Sequence, residues 1–155
     1  MIQAPLTHCA SVEVPVPART AFEFMADGQK QTHWALGSWD RRPAGQDGLY
    51  VGVSRWDYKD LYVKLVSDPE LLLVDYYVGA SPETLGFGVS ARIIPGEVLG
   101  SGPDRSLIAL LIWRTADTSE ADWARTAYVW PTEIQLIKSR IEYELAGGRA
   151  GEEAA

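Results

Sequence analysis

Residues Ala127–Gly148 read AYVWPTEIQLIKSRIEYELAGG, and the fold of the chain turns on whether Pro131 divides this segment. A proline inside a helix removes one backbone donor and clashes with the preceding turn, at a cost of roughly 3 kcal/mol or more. With the residues just upstream included, Trp123, Ala127, Trp130, Ile134, Ile137 and Ile141 follow one another at steps of four or three. That spacing describes one helical face. The register passes through Pro131 without a slip. Two independent helices would have no reason to stay in phase, so the pattern predicts one continuous helix over Ser119–Ala146, kinked near the proline. Ser119 with Asp122 three residues on is a capping box, and Glu120 adds negative charge at the positive end. Gly147 and Gly148 mark the stop. A rod of about 40 Å, at ~1.5 Å per residue, is long enough to cover a sheet.

The residues upstream supply that sheet. Ala10, Val12, Val14 and Val16 alternate as one face of a first strand. Pro17 suits the first turn of a helix, where its missing donor costs nothing, and Ala18–Met25 follows as a short helix. A second short helical piece ends near Trp34. Strands are then expected at Ser38–Arg42, Leu49–Arg55, Leu61–Ser67, Leu71–Gly79, Gly88–Ile94 and Ser106–Arg114. The segments between them are rich in Gly, Pro, Asp and Ser, and the short spacings imply antiparallel neighbours. Leu61, Val63 and Leu65 share a parity; so do Leu72, Val74, Tyr76 and Val78, and Val89, Ala91 and Ile93. Lys64, Asp75 and Arg92 hold the opposite parity and are expected on the solvent face. Leu107–Trp113 is apolar on both parities, so its inward face stays open.

A chain of 155 residues, 46% of them hydrophobic, can bury a core as a single domain. We expect that domain to span 1–148, with 149–155 as a flexible tail. The formal net charge is −7. Nucleic acid and anionic membrane surfaces repel such a chain unless it carries a basic patch, and Arg41-Arg42 is the nearest approach to one. The single cysteine, Cys9, precludes an internal disulfide and is read as a half-buried inert thiol. The N-terminal segment does not read as a secretory signal, and the longest apolar run is too short to span a bilayer. The expectation is a soluble cytoplasmic protein.

The stretches VEVPVPARTAFEFMAD, the following HW, VSDPELLLVDYYVG, VSARIIPG and the terminal helix together resemble the helix-grip fold of the START-like (SRPBCC) superfamily. Polyketide cyclase/dehydrase-type proteins belong to that group. The likeness covers about Ser11 to Leu145. It implies an α+β fold: a curved antiparallel sheet wrapped around one long C-terminal helix, with two short helices after the first strand and a cavity between sheet and helix. On that picture the helix stripe roofs the cavity and the region of Trp34 helps close its mouth. The implied ligand site comprises Trp34, Tyr76, Trp123, Ala127, Trp130, Ile134 and Ile137. Candidate polar groups are Tyr76, Tyr128, Thr126, Glu133 and Arg114.

Other motifs carry less. GFGVSA at Gly86–Ala91 spells a dinucleotide fingerprint, but the strand-like RIIPG follows where a helix is needed. His8, His33 and Cys9 give no metal-ligand spacing, and no nucleophile elbow is present. His33 beside Trp34 could serve as an acid or base at the mouth, or be an ordinary helix-end histidine. No cofactor and no metal are expected. The partner expected is a hydrophobic or aromatic small molecule, lipid- or polyketide-like, with no nucleic acid and no membrane insertion; a homodimer stays open. Two alternatives stand beside binding: a cyclase/dehydrase-type enzyme and a co-chaperone-like interaction module. A buried ionisable group with a shifted pKa would mark the enzyme. A filled interior with an exposed apolar patch would mark the module.

Overall fold

The computed structural model describes residues 5–148. Seven antiparallel strands form one curved sheet: β1 (Thr7–Val14), β2 (Ser38–Pro43), β3 (Leu49–Ser54), β4 (Asp60–Asp68), β5 (Leu73–Gly79), β6 (Gly86–Pro95) and β7 (Ser106–Trp113). Their spatial order is β1-β7-β6-β5-β4-β3-β2. The last strand thus returns beside the first, and every other neighbour is also a sequence neighbour. Helix α1 (Ala18–Ala26) and a 3-10 turn (Lys30–His33) follow β1. Helix α2 (Glu120–Leu145) ends the described chain as 26 unbroken residues with Pro131 inside.

The expected caps of α2 are in place. Ser119 Oγ accepts from the Asp122 N–H at 3.1 Å, and the chain leaves through Ala146 with Gly147 at φ +87°. A glycine there carries no Cβ penalty in the left-handed region. The helix lies along β1 and against the 3-10 turn. It buries Trp123, Trp130, Glu133, Ile134, Ile137 and Ile141. Ala127 is a correction to the stripe, because it is exposed. At 3.6 residues per turn it sits about 40° to one side of the Trp123–Ile141 line, whereas Glu133 sits about 80° to the other. The protein covers the second side.

The strand parities emerge as read. Val63, Leu65, Val74, Tyr76, Ala91 and Ile93 are buried inward, and Lys64, Asp75 and Arg92 take the outer face. Asp75 accepts there from the Ser90 hydroxyl at 2.8 Å. The ambiguous β7 resolves through its neighbours. Ile108 pairs with Val12 and Ile93, and Leu110 with Ala10 and Ala91, so this parity faces the helix. The opposite parity holds Leu111, which is exposed beside Cys9 on the outer face. Cys9 is therefore exposed rather than half-buried. The stretch GFGVSA lies in β6 with no helix after it, which leaves no nucleotide-binding turn.

Candidate functional site

Five of the seven expected site residues meet in one buried cluster: Trp34, Tyr76, Trp130, Ile134 and Ile137. Trp123 is buried apart from them, near the start of β1. Its indole N–H donates to the Pro5 carbonyl at 2.8 Å, and its ring stacks on His8. Ala127 lies outside. The Trp130 indole donates to the Leu110 carbonyl at 2.9 Å, which fixes α2 to β7. The Tyr76 hydroxyl donates to the Met25 carbonyl at 2.6 Å, which fixes β5 to α1. Burial pushes the Tyr76 hydroxyl well above the usual phenol range, so it stays protonated.

Among the polar candidates, Tyr128 is largely exposed, and the Thr126 hydroxyl returns to the Asp122 carbonyl one turn back. Arg114 pairs with Glu120. Glu133 goes inside. Its Oε1 accepts from the Leu36 N–H at 2.7 Å, closing α2 onto the segment after the 3-10 turn. Burial pushes its carboxyl up to about 7, against the opposing pull of that hydrogen bond and of the Arg41 charge.

Arg41 was not legible as a site residue. It is buried at 8% exposure, donating from Nε to Ser38 Oγ at 2.9 Å and from its guanidinium to Gln31 Oε1 at 2.6 Å. Burial lowers its pKa to about 10, although Glu133 and Tyr76 act the other way. Its hydrogen bonds go to Ser38 and Gln31 rather than to Glu133, so the two opposite charges share an interior without a direct pair. A bulge in β2 brings it there. Ser38 pairs with Ser54, and Arg42 pairs with Val51, so Asp40 and Arg41 together oppose Gly52. Asp40 takes φ +52°, a conformation that aspartate tolerates better than most side chains. Ser38 and Arg41, three apart, thereby share the inward face. Gly52 leaves room for them, since a Cβ there would meet the Trp39 carbonyl oxygen at 2.6 Å and Arg41 Cγ at 3.0 Å. The available signal was the pair Arg41-Arg42 inside an expected strand, where alternation turns one of the two inward.

Trp34 completes the cluster. It is 3% exposed and meets the Tyr76 ring edge-on, with centroids 6.3 Å apart. Its indole N–H is buried with no acceptor. At another edge of the helix, Arg125 lies over the Trp56 ring at 4.1 Å, joining α2 to the β3–β4 turn. His33 is exposed on the 3-10 turn.

A cleft of about 480 Å³ opens at the opposite end of α2, between α1 and the last helical turn. It is walled by Val16, Phe24, Ile141 and Leu145, with Glu23, Asp27 and the Lys30–Glu144 ion pair among its polar groups. It takes in none of the seven expected ligand residues. No group of three or more His, Cys, Asp or Glu that could hold a metal occurs among the described residues. Nor is any described helix long and apolar enough to cross a membrane.

No protein-family model and no curated protein sequence matches the chain. Solved structures do. The Zhui aromatase/cyclase from Streptomyces sp. R1128 superposes with a TM-score of 0.63 at 13% identity, over 90% of this chain and 94% of that one. A START superfamily protein from Mycobacterium smegmatis gives 0.60 at 14% identity, over 88% and 97%. The di-domain aromatase/cyclase BexL from the BE-7585A biosynthetic pathway gives 0.64 at 11% identity, over 88% of this chain and 46% of that one. Shared architecture at such low identity shows the fold, and function has to be argued from the site. The seven-stranded curved sheet closed by one long C-terminal helix is the helix-grip fold of START-like and polyketide-cyclase-type proteins.

Proposed function

We propose that the chain binds a hydrophobic or aromatic small molecule, lipid- or polyketide-like, between the sheet and α2, with Arg41 and Glu133 meeting its polar end. One observation carries this reading: two ionisable side chains lie buried among Trp34, Tyr76 and Trp130 without pairing directly to each other. Burying charge is costly unless something compensates it. An interior built only for stability is better served by apolar side chains of similar volume. A polar ligand group set between the guanidinium and the carboxyl compensates both. Structural neighbours named aromatase/cyclase and START protein support a ligand-binding or cyclase role.

The Glu133 carboxyl also favours a second, catalytic reading. A group titrating near 7 can both take and give a proton at neutral pH, as a general acid or base requires. On this reading Arg41 steadies negative charge developing on a substrate oxygen, and Glu133 moves the proton of a cyclisation or dehydration. The exposed outer-face side chains Phe87, Leu111 and Val66 keep the interaction module in view.

Mass spectrometry of small molecules that co-purify with the protein tests binding directly. The Trp130→Ala variant supplies the control, with stability and uptake of an apolar fluorescent probe measured on the same sample. Loss of roughly 3–5 kcal/mol, from a parent that takes up neither probe nor ligand, indicates a filled core and favours the module. Probe uptake that weakens in the variant, with a smaller stability loss, supports the binding site. Turnover of a bound compound that stops in Glu133→Gln while binding persists selects the enzyme.

A further inference from the structure

We infer that the ligand of this interior carries a neutral carbonyl-type oxygen, and that the Trp34 indole N–H is the donor that reads it. The inference rests on the binding reading above and gives it chemical content. Three buried indole groups stand close enough in kind to be compared. Trp123 donates to the Pro5 carbonyl and Trp130 to the Leu110 carbonyl. Trp34, the most buried of the three, donates to nothing. A buried donor without an acceptor is rare in folded proteins, because the folded state has given up its water without replacement. Such a group points to an atom that arrives later.

The surroundings narrow what that atom is. The indole N–H offers one proton and no acceptor, so its partner is a lone pair. The Tyr76 hydroxyl beside it gives its proton to the Met25 carbonyl, and its oxygen, though able to accept, receives no bond from Trp34. At the indole a neutral oxygen fits better than an anion, because the buried Arg41 cation is already bonded to Ser38 and Gln31 and burial disfavours negative charge on Glu133 in the same interior. An added carboxylate would meet that same penalty. The apolar walls, Trp130 and Ile134, require the rest of the ligand to be hydrocarbon-like. Glu133 keeps its Oε2 for a second polar group, since Oε1 holds the Leu36 N–H.

The test uses 1-tetralone and tetralin, which share a bicyclic skeleton and differ at one carbonyl. Nitrogen–proton NMR resolves the indole N–H signals of the six tryptophans, and the Trp34→Phe variant assigns the relevant one by its disappearance. We expect the ketone to bind about tenfold more tightly than the hydrocarbon and to move the Trp34 signal downfield, while tetralin leaves that signal in place. In Trp34→Phe the ketone should fall to the affinity of the hydrocarbon. If both probes bind alike and the Trp34 signal does not move, the carbonyl proposal is overturned while interior binding stands. A Trp34 proton held by a bound water that the ketone fails to displace would overturn it equally. If neither probe binds or perturbs any interior signal, the binding reading and this proposal fall together. Should Trp34→Phe not fold, the wild-type signal alone still decides, with peak assignment by sequential methods.

Discussion

The interior between sheet and helix has two districts that are equally buried and chemically unlike. The district of Ile137 holds Val14, Val74, Ala91, Ile93 and Ile108, all at 0–1% exposure and all apolar. The district of Glu133 holds Gln31, Ser38, Arg41 and an indole with an unused donor, none of them more than 8% exposed. Accessible area does not separate the two; partnership does. In the first district each contact is complete within the chain. In the second the groups hold one another in position and leave hydrogen-bonding capacity unfilled. On the binding reading, the first district is packing complete in itself and the second is packing that leaves partners for a ligand to supply.

Substitutions can break this contrast, and the largest effect belongs to the dry district. Ile137→Ala should lower stability by roughly 2–5 kcal/mol, read as a fall in denaturation midpoint at constant slope, because it leaves a cavity in a region with no slack. Probe affinity should stay within about twofold. A probe that binds better in this variant would show that the dry district adapts, and the contrast would blur.

Glu133→Gln sharpens it through pH. The folded carboxyl titrates at about 7 against an ordinary value of 4.5, so the native state holds the proton more tightly than the unfolded chain. The protonated group's contribution is therefore complete below about pH 4.5 and is lost as pH rises through about 7. Relative to Gln, which mimics the protonated form, the wild type should lose roughly 3 kcal/mol across that window. Parallel stability curves for the two proteins would mean that Glu133 is wetter than its burial suggests.

Gly52→Ala comes next, at roughly 1–3 kcal/mol. The new methyl meets the Trp39 carbonyl oxygen and the Arg41 stem. Ligand affinity should fall with it, since the guanidinium must shift. Smallest of all, alanine at Lys64, Asp75 or Arg92 should alter stability by no more than about 0–1 kcal/mol and leave probe binding unchanged. A tenfold loss of affinity at any of these would place the binding face on the wrong side of the sheet.

The two districts also differed in how visible they were from sequence. The dry one announced itself through period: Val74 and Tyr76, Ala91 and Ile93, and Ile134, Ile137 and Ile141 each keep the spacing of their element. The α2 caps and the in-phase passage through Pro131 followed from local chemistry that depends on nothing distant. Glu133 was visible as a candidate because it lies near the stripe, but its contact with the Leu36 N–H joins residues 97 apart, which no local pattern encodes. Arg41 hid for a different reason. Its inward turn depends on a bulge, and a bulge is an exception to the alternation by which strands are read. Ala127 was misplaced because apolar spacing locates the centre of a helix face well and its edges poorly.

The bulge at Asp40 bears on how this site can be inherited. With Asp40 as the extra residue, Ser38 and Arg41 face inward while Trp39 and Arg42 pair on the outer face. Remove Asp40, and plain alternation still turns Arg41 inward; remove the bulge but keep Asp40, and with Ser38 still inward Asp40 and Arg42 face inward while Arg41 turns out. Which charged side chains lie beneath α2 is thus set by the parity of a residue count in one edge strand. A lineage that flattens this strand without deleting a codon exchanges Arg41 for Asp40 and Arg42 inside while substituting no residue of the site. A lineage that deletes the codon as it flattens the strand keeps the arginine, and an alignment that slides across the gap would assign the wrong residue to the interior.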